Sequence, residues 1–241
     1  MQAAGQPQQQ APGQRLAVVT GAGRGFGEAL AQELSAAGWL VLAVVRQSGQ
    51  ARVLDGLPGL QAVVHDVRSD DVSAVADAVR GRPVDVLINN ASQGAPHQPL
   101  GSVQAAGVLN AVDVNAAGPL RMVQALLPQL IAADDPVIVN VTSRLGSLSG
   151  QARGDFASLS TSYAYRVSKA AQNMLTISLA QDLRGQVRCW AVHPGKLATG
   201  MGRADAVKAP RVAARELLEL LGSDDRRSPG FVSLGAPDLD W

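Results

Sequence analysis

Residues 160–169 read STSYAYRVSK. Both of the chain's tyrosines and one of its three lysines fall in this decapeptide, although the other positive charge is almost all arginine. Tyr165 and Lys169 are four residues apart, so on a helix they share one face. Unperturbed, a phenol titrates near about 10 and a lysine near about 10.4, and an ammonium close by favours phenolate and lowers the phenol's pKa. A phenol tuned in this way can give and take a proton near neutrality, as general acid–base chemistry requires. Lysine is also a compact cation with three donors, able to hold a ribose at the same time, and arginine's permanently charged fork is a poor substitute. An aromatic at a helix start followed by a solvated lysine would show the same spacing, so the pair depends on its context.

A second stretch, TGAGRGFG at 20–27, joins a short apolar run to a helical one. The G-x-G-x-x-G fingerprint fails here, because its last glycine falls on Phe26. The spacing that holds is Thr20-Gly21, then Gly25, then Gly27. Glycines in such a turn let backbone amides and a helix N-terminus approach a pyrophosphate. A glycine-rich turn after a strand is also a common structural feature. An acidic residue after the second apolar run would bond the 2′-hydroxyl of NAD, but Val45 and Arg46 stand there instead. Arg24 in the first turn can approach the same ribose. Two guanidiniums suit a 2′-phosphate, and with the missing carboxylate they favour NADPH/NADP+ over NADH, against the usual fate of a loop arginine in solvent.

The elements that must position these groups follow from apolar patterning. Runs at 15–20, 39–45, 61–65, 84–89, 136–142, 187–192 and 231–234 read as strands, several of them continuous enough to be buried on both faces. Helical spacing falls between them: Phe26, Leu30, Leu34 and Ala37; Val72, Val75 and Val79; a long region over 103–130; 163–183; and 211–221. Pro128 predicts an end to the long region near that residue. Strands alternating with helices imply a single-domain, Rossmann-type doubly wound parallel sheet with helices on both faces, spanning 15–241 behind a flexible Gln/Pro/Gly tail at 1–14. The 241 residues suffice for a real core, the net charge of +1 gives no reason to expect nucleic acid or an anionic membrane, and no apolar run is long enough to span a bilayer. With a single cysteine, Cys189, and no signal-like N-terminus, a cytoplasmic protein is expected. His65, His97 and His193 fall in separate elements without metal-ligand spacing, so no metal is expected. GSLSG at 146–150 has Leu148 where a hydrolase elbow needs its nucleophile.

Taken together, these residues resemble the short-chain dehydrogenases/reductases, from Arg15 to Trp241. The resemblance runs in order through TGxxxGxG at 20–27, Asp66-Val67, NNA at 89–91, Asn115, Ser143, Tyr165 with Lys169, and HPGKLAT at 193–199. SRLGSLSG, YAYRVSKAAQNM and the terminal Trp241 resemble most the branch of carbonyl reductases and C-factor-like signalling proteins. The resemblance implies that Tyr165 protonates a carbonyl oxygen and that Lys169 lowers the phenol's pKa and binds the nicotinamide ribose. It implies that Ser143 polarises the carbonyl, where a donor must face growing negative charge. Asn115 would bend its helix and help place a water in a proton relay. Gly21, Arg24, Gly25, Phe26, Gly27 and Arg46 would form the cofactor-binding turn. Asp66 and Val67 would meet adenine, Asn90 the adenosine ribose, and Leu197 (by its backbone) and Thr199 the nicotinamide amide and phosphate. A homodimer or homotetramer built on the 103–130 and 163–183 helices is implied as well.

Three departures from the family pattern stand out. Ser92 replaces the glycine usual after NNA, and could crowd the nicotinamide pocket or add a hydroxyl contact. Twenty-one residues separate Ser143 from Tyr165, and this long 144–164 segment reads as a flap over the substrate. Lys196 follows Pro194-Gly195 where an apolar residue is usual, and reads as a solvated loop lysine rather than a partner for a substrate anion. The residues thus predict an NADPH-dependent reductase of a ketone or aldehyde, with oxidation of an alcohol sharing the same groups. The alternative is a dinucleotide-binding signalling or regulatory protein of the same fold without turnover.

Overall fold

The computed structural model describes residues 13–198 and 208–241. Its strands are β1 (Leu16–Thr20), β2 (Leu40–Val45), β3 (Leu60–Val64), β4 (Val86–Asn89), β5 (Val137–Val141), β6 (Arg188–His193) and β7 (Gly230–Ser233). They form one sheet in the order β3-β2-β1-β4-β5-β6-β7, with every pairing parallel. The helices between them are α1 (Gly25–Ala36), α2 (Ser48–Leu54), α3 (Ser73–Ala78), α4 (Ala105–Val112), α5 (Gly118–Ile131), α6 (Leu148–Arg153), α7 (Tyr163–Asp182) and α8 (Pro210–Leu221). This is the expected doubly wound, Rossmann-type sheet.

The continuous apolar runs have a simple cause. Ala17 and Val19 of β1 face one core with Leu30 of α1 and Leu217 of α8. Leu16 and Val18 face the other, with Leu126 of α5 and Leu179 of α7. Because both faces of the sheet are covered, successive strand residues are apolar instead of alternating. The order reverses at β1, between β2 and β4, and a ligand in such a sheet binds at the carboxyl ends beside that reversal.

The 103–130 region is helical as expected, with a π-helical turn, Asp113–Ala117, between α4 and α5. The extra residue in such a turn widens the helix, and π turns recur at functional sites. The helix ends near Pro128, about one turn past it, at Ile131. Pro128 and Gln124, whose carbonyl loses its amide partner, are both on the exposed face. Water can take the orphaned carbonyl there, so the missing bond costs less than it would in the core.

The 144–164 segment, expected as a flap over the substrate, opens with a 3-10 turn at Arg144–Gly146 and α6, and it is fastened to the C-terminal residues. The Ser147 hydroxyl accepts from the Gly150 amide at 3.0 Å, capping α6, and donates to the Asp240 carbonyl at 2.6 Å. The Ser149 amide donates to the Trp241 carbonyl at 2.9 Å, and the Trp241 ring packs on Phe231 with centroids 5.0 Å apart. Arg166 donates to the Thr161 hydroxyl at 2.5 Å and to the Leu159 carbonyl at 2.9 Å, tying the other end of the segment to α7. Among the described residues, no helix is long and apolar enough to cross a membrane.

Candidate functional site

The turn between β1 and α1 is built around glycine. Gly21 has a φ of +65°, and a Cβ there would lie 2.8 Å from the Ala91 Cα. A Cβ on Gly27 would lie 2.3 Å from the Gly21 carbonyl oxygen and 2.4 Å from the Asn90 Nδ2. The turn is therefore pressed against the end of β4, and Asn90 fastens it there. The Asn90 side chain donates to the Thr20 carbonyl at 3.0 Å and to the Gly21 carbonyl at 3.3 Å. The Thr20 hydroxyl accepts from the backbone amides of Asn90 and Ala91, each at 3.0 Å. At the start of α1, Arg24 makes no side-chain capping bond, so the first-turn amides keep their free donors and the helix its positive end. An anionic phosphate fits that cradle.

The residues expected around a cofactor sit on the same edge of the sheet. Arg24 and Arg46 are exposed, and the charge of Arg46 reaches Asp66. Asp66, just past β3, is held well below the usual carboxylate range, to about 2, mainly by its hydrogen bonds from Arg68. The closest of these is 2.6 Å. Phe26 and Val67 turn their side chains into the two cores, which leaves only their backbones for a ligand. Leu197 pairs with Lys208 in a short bridge and packs against the first core. Lys196 is exposed beside it. Thr199, and most of the 200–210 segment, lie outside the described residues.

Ser143 follows β5. Its hydroxyl oxygen accepts from the Leu145 amide at 3.2 Å, capping the short 3-10 turn. The Ser143 hydroxyl is near enough to the Tyr165 phenol to affect its pKa. Tyr165 stands in the first turn of α7, which Ser162 caps by accepting from the Tyr165 amide at 3.1 Å. Lys169, one turn further on, is 1% exposed. Its Nζ lies 5.7 Å from the centre of the Tyr165 ring, and it donates to the Val141 carbonyl at 2.9 Å and to Gln172 Oε1 at 2.8 Å. Helical spacing thus brings Tyr165 and Lys169 together as expected, and the end of β5 delivers Ser143 to them.

The electrostatic expectation is corrected. Burial raises the Tyr165 pKa above its ordinary value, and the neighbouring Ser143 hydroxyl lowers it only in part. Burial also pushes Lys169 down to about 7. Lysine 169 has given up its proton well before the phenol titrates, so it cannot stabilise a phenolate in this state. The spacing showed which residues meet, but desolvation decides the sign. At neutral pH the phenol is a proton donor.

Asn115 lies at the middle of the π-helical turn and is 0% exposed. Its Oδ1 accepts from the Gln93 amide at 2.7 Å and from the Ser92 hydroxyl at 3.1 Å. Its Nδ2 donates to the Gln93 carbonyl at 3.0 Å and to the Ser168 hydroxyl at 2.8 Å. The Ser168 hydroxyl in turn donates to the Tyr165 carbonyl at 3.0 Å. Asn115 therefore clamps the segment after β4 to α7. The Ser92 hydroxyl is taken up by this clamp. Sequence reasoning missed Ser168 and Gln172, both 0% exposed. A polar residue three positions after Lys169, on a helix face bound for the core, was the available signal. His193 stays neutral, pushed down to about 4 chiefly by burial.

The sequence model described as short chain dehydrogenase matches residues 15–209. C-signal of Myxococcus xanthus is 36% identical over 170 residues, covering 70% of this chain and 99% of that protein. D-erythrulose reductase of Gallus gallus is 34% identical over 192 residues, covering 78% of this chain and 74% of the reductase. Among solved structures, the NADPH-bound carbonyl reductase from chicken fatty liver superposes with a TM-score of 0.84 at 26% identity, over 95% of this chain and 99% of that one.

Proposed function

The chain belongs to the short-chain dehydrogenase family, and from that premise we propose that it reduces a small ketone or aldehyde to the alcohol with NADPH as cofactor. NADPH, when bound, supplies the hydride. The uncapped amides at the start of α1 hold its pyrophosphate, and Arg24 and Arg46 hold its 2′-phosphate through charge-assisted bonds. Ser143 donates a hydrogen bond to the substrate's carbonyl oxygen and so favours the negative charge that grows there. Tyr165 gives that oxygen its proton, and Lys169 restores the proton to the phenol. Asn115, through Ser168, keeps the first turn of α7 in place while this happens.

The observation that carries the reading is the placing of Tyr165 one helical turn before the buried Lys169, whose Nζ lies 5.7 Å from the phenol ring centre and is tied to Val141, two residues before Ser143 at the end of β5. A phenol kept protonated by burial suits reduction, where the group must deliver a proton. The D-erythrulose and carbonyl reductases among its relatives support the same direction.

The test is carbonyl-dependent NADPH oxidation across a panel of ketones and aldehydes. Tyr165→Phe is expected to lower kcat by about 10²–10⁴ while NADPH binding changes little, since only the proton donor is lost. The similarity to C-signal, which extends over nearly all of that protein, favours a second reading. In it the chain binds the dinucleotide and signals without turnover. Retained NADPH binding with no oxidation on any carbonyl would select that reading and discard the first.

A further inference from the structure

Among the described residues, the buried Lys169 meets no carboxylate. The groups facing it can be named element by element. From β5 comes the Val141 carbonyl, which accepts from Nζ at 2.9 Å. From the turn after β5 comes Gly146, so close that a Cβ there would lie 2.7 Å from the Lys169 carbonyl. Arg144 of that turn lies over the Phe156 ring instead. The π-helical turn contributes the neutral Asn115, while its Asp113 pairs with Arg121 at 2.8 Å. On the neighbouring β6, Cys189 pairs in register with Ile138, three residues before Val141, and as a buried thiol pushed up to about 12 it carries no charge. On α7 itself stand the Tyr165 phenol and Gln172.

Gln172 is the unexpected member. It is 0% exposed, its Oε1 accepts from the Lys169 Nζ at 2.8 Å, and its Nε2 has no partner among the described residues. A buried carboxamide with one end unsatisfied is costly, and an apolar side chain of the same length would avoid that cost. We propose that Gln172 is the positioning residue of Lys169, its carboxamide oxygen standing where a carboxylate would otherwise be needed to hold a buried ammonium. Two acceptors, one on β5 and one on α7, fix Nζ and leave a single donor for other work. The choice of an amide has a chemical consequence. A carboxylate would lock the lysine in its charged form, whereas a neutral acceptor steadies the ammonium yet lets it lose its proton. That suits a lysine that returns a proton to Tyr165. The direction in which burial moves Lys169 agrees with this, because no neighbouring charge opposes it.

The inference rests on the reading of Lys169 as part of the site, but its test needs no turnover. With only three lysines, the full-length, cofactor-free protein labelled with ¹³Cε-lysine gives three signals, assigned by Lys196→Arg and Lys208→Arg. Gln172→Met is expected to lower the Lys169 midpoint by about one pH unit or more, and Gln172→Glu to raise it by as much. The alkaline limb of kcat/KM for carbonyl reduction is expected to move in the same direction in each variant, which a merely structural role would not produce. A Lys169 midpoint unchanged in Gln172→Glu overturns the assignment, and that variant decides alone if the methionine variant does not fold. If the midpoints move while no variant, nor the parent, reduces any carbonyl, the reductase reading fails and the positioning role stands.

Discussion

Replacing Lys169 with methionine should change how stability depends on pH, by an amount the structure sets. The side chain is 1% exposed, and burial pushes its pKa from 10.5 to about 7. Below about pH 7 the lysine is protonated in both folded and unfolded chains, so its contribution to stability does not vary. Between about 7 and 10.5 the unfolded chain still holds the proton and the folded chain does not. Stability rises with pH wherever the unfolded state binds more protons, here by about 1.4 kcal/mol per unit for this one group. From pH 7 to about 9.5 the parent should therefore gain roughly 3 kcal/mol relative to Lys169→Met, as an upper bound. Taking the difference between the two proteins cancels the groups they share, Tyr165 included, whose raised pKa lies above this window. The assay is urea unfolding followed by tryptophan fluorescence, at intervals from about pH 6 to 9.5, since Trp190 is 0% exposed and Trp39 only 8%. Parallel stability curves for the two proteins over that whole window would refute the argument, because they would mean that Lys169 keeps the same pKa folded and unfolded.

Two further outcomes follow from the cofactor cradle. Arg46→Asp should weaken NADPH binding by about 10- to 100-fold, the equivalent of one lost charge-assisted hydrogen bond, and change NADH binding far less; equal losses measured by fluorescence titration would show that Arg46 does not contact a 2′-phosphate. Gly27→Ala places a Cβ 2.3 Å from the Gly21 carbonyl oxygen, so it should cost about 1–3 kcal/mol in urea unfolding and reduce NADPH affinity as well. A variant as stable as the parent would mean that the turn can back away from α1.

Much of this molecule is legible in local sequence, because local rules decide it. Continuous apolar runs become strands when both faces of a sheet are covered, as Val18 and Val19 show by entering opposite cores. The spacing of Gly21 and Gly27 marks a turn that must press against its neighbours. Tyr165 and Lys169 meet because a helix turns every 3.6 residues. At Pro128 the helix runs on for about one last turn, because a missing amide bond on the solvent side of α5 need not end it at once.

Sequence alone thus determined which residues are neighbours along an element and which strand ends carry them. Tertiary structure decided their environment. The clasp between Ser147 and Asp240 joins residues 93 apart and fastens the 144–164 segment to the C-terminal residues. The Ser92 hydroxyl turns to Asn115, a choice made by the fold of the segment after β4. Above all, the protonation of the Tyr165–Lys169 pair depends on the full burial of Lys169, on the partial burial of Tyr165 and on which neutral atoms surround the ammonium. Spacing fixes the distance between two groups along a helix, whereas desolvation belongs to everything packed around them, and only the folded chain supplies that.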